Sequence, residues 1–94
     1  MPPKRQSKPR SREHAALGGA IQAMREERDL SQEQLADEAG LHVTHLGGLE
    51  RGVRNPSYTT LIRLAGALKV EPGELVSLGD ELRRKTQQGD LTRR

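Results

Sequence analysis

The chain contains no cysteine, no phenylalanine and no tryptophan, and Tyr58 is its one tyrosine. Without cysteine there can be no disulfide, no thiol nucleophile and no cysteine-based zinc site. Without large aromatics, any core must be built from Leu, Ile, Val, Ala and Met. The hydrophobic share is only 32% over 94 residues, so we expect one small domain, marginal by itself and suited to an oligomer. No apolar run approaches the length of a membrane span, and the charged N-terminus lacks the apolar core of a signal peptide, so the expected compartment is the cytoplasm. Period-2 alternation, the mark of a strand, is missing throughout.

Charge is present but unevenly spread. The net charge of +3 has its source in residues 1–13, where Lys4, Arg5, Lys8, Arg10 and Arg12 face only Glu13. Residues 14–70 carry six Lys/Arg and seven Asp/Glu, and residues 71–94 carry five of each. The opening stretch "MPPKRQSKPRSRE" is rich in Pro, Lys, Arg and Ser with no apolar period, which predicts a disordered arm over 1–13. Such an arm serves either solubility or attraction to a polyanion.

From Ala15 the pattern turns helical, with Leu17, Ile21, Met24 and Arg28 at i, i+4, i+7 and i+11. Ser31 opens a capping box, "SQEQ", for a second helix that carries Leu35, Ala36 and Ala39 and stops at Gly40. A third helix with Leu46 and Leu49 ends at Gly52, and "RNPS" is a turn that leads to a fourth helix capped by Ser57. Leu61, Leu64, Ala65 and Leu68 form the fourth stripe. A fifth helix begins near Pro72 and carries Leu75, Leu78 and Leu82. The expected fold is all-α with five helices over 14–85, followed by a frayed tail over 86–94.

Little in this chain suggests catalysis. Ser31, His14 and the acidic residues form no nucleophile–base arrangement, and Glu26-Glu27 reads as a solvated face. "LGGA" at 17–20 follows no strand, so it is not a phosphate loop. His42 and His45 form an H-x-x-H pair, but neither a cysteine nor a third ligand accompanies them. No enzyme, metal, cofactor or small-molecule effector is expected.

The run "LSQEQLADEAGLHVTHLGGLERGVRNPSYTTLIRLAGALKVEPGEL", residues 30–75, resembles the phage-repressor-like (Cro/C1-type) helix-turn-helix family. The "SQEQLA" opening, the Gly40-Leu41 turn, the "LERG" close and the downstream "NPS" carry the resemblance, and they cover about half of the chain. Within the family, "GLH", "LGGLERG" and "RNPS" are most similar to the controller proteins of restriction–modification genes. The resemblance implies a five-helix repressor-like fold, a homodimer, and double-stranded operator DNA with two related half-sites as the partner. The third helix would enter the major groove and the second would lie across the backbone. Its start, with the amides after Ser31 and the Gln32 side chain, is an anion site on physical grounds as well.

On a helical wheel, Thr44, Gly47, Gly48 and Arg51 share the face opposite Leu46 and Leu49, with Val43 at the edge. The base-reading positions implied by the resemblance are Val43, Thr44, Gly47 and Gly48. Two readings of the glycines stand: the bare face brings the helix close to the bases, or the glycines are tolerated there or bend the helix. The relatives favour arginine where this chain has Val43, so no guanine preference carries over. Val43 and the Thr44 methyl suit thymine methyls. His42, His45, Arg51, Arg54 and Asn55 suit phosphate or flanking contacts, and Arg54 also the minor groove; for Arg54 and Asn55 the alternative is a solvated turn. Glu50 would pair with Arg25 as a partly buried structural ion pair. Leu75, Val76, Leu78 and Leu82 either cover the first and fourth helices or contribute to a dimer interface. A different class of function is a protein-interaction module, an antitoxin or adaptor that retains the fold. The near-neutral charge of residues 14–70 favours that alternative, and the basic arm and the Arg51/Arg54 cluster oppose it.

Overall fold

Three of the helix starts lie where a serine side chain takes up one of the first free amides. In the computed structural model, which describes residues 8–92 and side chains through residue 86, the chain forms five helices. They are α1 (Arg12–Glu27), α2 (Gln32–Ala39), α3 (Val43–Glu50), α4 (Tyr58–Leu68) and α5 (Pro72–Thr92). Ser11 caps α1 by accepting the His14 amide, and Ser57 caps α4 by accepting that of Thr60. At α2 the full reciprocal box forms: Ser31 Oγ accepts from the Gln34 amide at 3.0 Å, and Gln34 Oε1 accepts from the Ser31 amide at 2.8 Å.

Two boundaries differ from those the sequence suggests. The chain is helical from Arg12, because the Ser11 cap lies upstream of the first apolar residue that periodicity can detect. Residues 86–92, read as a frayed tail, continue α5 to Thr92.

The core lies where α1, α2, α3, α4 and the first turns of α5 converge. Ile21, Leu35, Leu46, Leu64, Leu68 and Leu75 are fully buried in it, and Leu49 is nearly so. Leu75, proposed for a dimer surface, is therefore closed over within the monomer. Leu78 and Leu82 are partly buried and pack against the same core, so of the four candidates only Val76, 48% exposed, stands clear.

Two glycines set how closely α3 approaches α1. A Cβ at Gly18 would lie 2.4 Å from the carbonyl oxygens of both Leu49 and Glu50, so α1 is bare where the end of α3 crosses it. Gly52 adopts φ 78, a left-handed conformation, and a Cβ there would lie 2.8 Å from the Ala15 backbone. Arg28 fastens the other end of α1 by donating through Nε to the Leu68 carbonyl at 2.7 Å.

Candidate nucleic-acid interface

The outward face of α3 is the centre of the site, and a buried ion pair fixes it from behind. Arg25 of α1 donates through Nε to Glu50 Oε2 at 2.7 Å and through Nη2 to Oε1 at 3.1 Å. Its remaining nitrogen, Nη1, donates to the Leu30 carbonyl at 2.8 Å in the connection between α1 and α2. The Glu50 side chain is only 3% exposed. A buried carboxylate needs a partner for each oxygen, and the fork of the guanidinium supplies both in one plane. Gln32 of α2 adds a third bond, donating through Nε2 to Glu50 Oε1 at 2.8 Å. These three residues tie α1, α2 and α3 together at the C-terminal end of α3. Bonding to Glu50, more than any other influence, raises the Arg25 pKa.

Gln32 thus has a role beyond the one the sequence suggests. It is half-buried, and its side-chain amide donates to the Glu50 carboxylate. The Gln34 amide at the start of α2 is likewise occupied by Ser31.

In front, Val43 is 39% exposed and Thr44 is exposed beside it. His42 occupies the N-cap of α3 without forming a side-chain cap, and it too is exposed. Gly47 and Gly48 depart from the expectation. They lie on the outward stripe, yet both are buried, because long side chains from the end of the helix fold back over them. A Cβ at Gly47 would meet Arg51 Nη1 at 3.2 Å, and one at Gly48 would meet Arg54 Cγ at 3.0 Å. The middle of α3 is not a bare patch but a floor beneath two arginines.

Past the helix, the backbone doubles back. Gly52 donates to the Leu49 carbonyl at 3.1 Å, and its own carbonyl accepts the Arg10 amide at 2.8 Å. The segment before α1 is thus joined to the turn after α3. His14 reinforces the junction. An amide oxygen only accepts, so His14 Nε2 donates to Asn55 Oδ1 at 2.9 Å, and in the neutral ring Nδ1 accepts from the Ser11 hydroxyl at 2.7 Å. Asn55, assigned to a phosphate by the sequence, has this oxygen engaged by α1. Between the two segments lies an open cleft lined by Lys8, Arg10, His45, Val53, Arg54 and Asn55. Lys8 and Arg10 are therefore brought beside the end of α3. Arg12 is not: it belongs to the first turn of α1 and lines a separate groove with Leu82 and Thr86. Lys4 and Arg5 lie outside the described residues.

Residues 21–75, more than half of the chain, match the family model described as helix-turn-helix. The chain belongs to the helix-turn-helix family. Its α2 and α3, joined at Gly40, are the two helices of the motif. Control protein C.SmaI of Serratia marcescens is 44% identical over 61 residues, which cover 65% of this chain and 73% of that one. The immunity repressor protein of Bacillus phage phi105 is 40% identical over 74 residues; the match takes in 79% of this chain but only 50% of the repressor. Among solved structures, the restriction-modification controller protein C.AhdI from Aeromonas hydrophila superposes with a TM-score of 0.69 at 40% identity, covering 69% of this helix-turn-helix protein and 98% of the controller. SinR, a master regulator for biofilm formation solved in complex with DNA, matches with a TM-score of 0.61 at 31% identity over 64% of this chain and 97% of its own.

These relatives are regulators and not enzymes, and none of them favours an antitoxin or adaptor role. Sequence reasoning missed Gly18 and the Ser11–His14–Asn55 relay in this helix-turn-helix protein, and it took Gly52 only as a helix stop and Arg28 only as a member of the first stripe. Only the "GG" at 18–19 and the left-over His14 offered a signal. Neither could be interpreted without knowing which helices cross. Among the described residues no helix is long and apolar enough to cross a membrane.

Proposed function

We propose that this helix-turn-helix protein is a transcriptional regulator that occupies operator DNA as a homodimer, with α3 in the major groove of each of two related half-sites. The observation that carries the reading is the exposed face of α3, held from behind by Arg25, Glu50 and Gln32 and flanked by Lys8, Arg10 and Arg54. Val43 and Thr44 meet base edges, with apolar contact to thymine methyls and one hydroxyl that can donate or accept. Arg51 and Arg54 sit at the end of the helix, where the phosphate backbone passes. Lys8 and Arg10 extend the basic margin, and the arm before them follows the adjoining groove. Acting on DNA, the protein works in the cytoplasm.

Dimerisation is supported by the small core and by Val76, which remains half-exposed beside Leu17 and Gly79 on one side of α5. Two recognition helices about 34 Å apart would then address successive major grooves.

A gel shift with the region upstream of the gene, titrated with salt, tests the reading. Binding at low salt that weakens steadily as salt rises is the expected result. No shift at low salt would overturn it.

A further inference from the structure

We propose that Gly48 acts on DNA binding through Arg54: the glycine is the seat on which the Arg54 stem lies, and it fixes where that guanidinium is presented. The inference rests on the DNA-binding reading above and assigns Gly48 a positioning role.

Three successive atoms of Arg54 approach the place a Cβ would occupy at Gly48: Cγ at 3.0 Å, Cδ at 3.1 Å and Nε at 3.3 Å. This is not the passing contact of a side-chain tip. The stem itself passes over Gly48, and the missing Cβ makes room for it. The backbone is fastened to the same residue, since the Val53 amide donates to the Gly48 carbonyl at 3.0 Å and the Arg54 amide donates to it at 3.3 Å. The origin of the Arg54 side chain and the surface beneath it are therefore both set by Gly48. Arg54 also lines the cleft bordered by Lys8, Arg10 and His45. Among the described residues no carboxylate pairs with it, so its charge is open to an anion.

The adjacent glycine provides the contrast. At Gly47 the near neighbour is Arg51 Nη1, at 3.2 Å, and the next are Gln32 Nε2 and Oε1, both at 3.9 Å. A terminal nitrogen can swing aside at little expense, whereas a stem with three successive atoms against the new Cβ must shift as a unit. Alanine at 47 should therefore be tolerated, and alanine at 48 should release Arg54 to many rotamers. An arginine that is already placed loses less conformational freedom on binding, so release lowers affinity while every DNA-facing group is still present.

A thermodynamic cycle separates this role from direct approach of the helix to the bases. Wild type, Gly48→Ala, Arg54→Ala and the double variant would be titrated by fluorescence anisotropy against a duplex selected from random DNA, with a melting curve for each. Arg54→Ala should weaken binding by about tenfold. Gly48→Ala should weaken it several-fold in the wild-type background and not at all in the Arg54→Ala background. Gly47→Ala should leave affinity within about twofold of wild type. Equal losses from Gly48→Ala in both backgrounds, or no loss in either, would overturn the proposal. If Gly48→Ala melts early, or if wild type binds no DNA, the side-chain dynamics of the free protein decide. Nitrogen relaxation at Arg54 Nε should then report a more ordered side chain than at the exposed Arg63. Equal mobility of the two would contradict the seat. Failure of wild type to bind would count against the DNA-binding reading alone.

Discussion

At the scale of single residues, the buried carboxylate of Glu50 is the most demanding group in the molecule. Its two oxygens are satisfied by Arg25 and Gln32, so loss of the arginine would leave a charge in the interior with one remaining donor. Arg25→Ala should therefore lower unfolding free energy by about 3–5 kcal/mol, and Arg25→Met with Glu50→Leu should lower it by much less. Urea unfolding of both variants checks this. The acidic limb of stability has a separate origin. Hydrogen bonding from Arg83, ahead of the charges of Arg84 and Arg83, holds the Asp80 pKa below the ordinary carboxylate range, and Glu13 is lowered chiefly by its own backbone amide and then by the Ser11 side chain. A carboxyl depressed by folding stabilises the native state above its unfolded value and ceases to do so as pH falls through the folded one. The contribution of these two carboxyls should thus be constant between neutral pH and about pH 5 and decline below about pH 4. Asp80→Asn should flatten that decline.

At the scale of elements, the helices were largely legible and their crossings were not. Capping residues at Ser31 and Ser57, the αL glycine at 40 and the leucine stripes all depend on neighbours within a few positions, which is why four of the five helices begin as the sequence suggests. Gly18 has no such local meaning. Its role follows from the carbonyl oxygens of Leu49 and Glu50, more than thirty positions away. Gly18→Ala should separate α1 from α3 and strain the Arg25–Glu50 pair, at a cost of about 1–3 kcal/mol or more. Alanine normally favours a helix over glycine, so a lowered melting temperature would mark the crossing rather than propensity. The same limit explains Gly47 and Gly48. A wheel places them outward, which the structure repeats, but it cannot show arginines from the following turn returning to cover them. Leu75 was ambiguous for a related reason, since one stripe on α5 serves both the core and the surface.

At the scale of the whole molecule, the separation into a free arm and a folded body needs revision. Ser11 caps α1, Arg10 bonds to Gly52, and His14 reaches Asn55, so the body begins before the first apolar residue. Removing residues 2–9 leaves these links in place and isolates the remaining positive charge of Lys4, Arg5 and Lys8. That deletion should leave the melting temperature nearly unchanged, lower DNA affinity and reduce the salt slope by about 0.9 for each phosphate that these cations neutralise. Unaltered affinity and slope would make the segment a solubility tail. The near-neutral remainder of the chain makes this distinction worth drawing, because few other cations border α3.

Selection of bound sequences from random duplex DNA, using the full chain, tests the account most directly. Enrichment should yield two related half-sites whose centres lie about 10 base pairs apart, as a two-fold dimer with α3 in successive major grooves requires. A pool that stays unenriched at low salt, or that converges on a single unrepeated half-site, would contradict it.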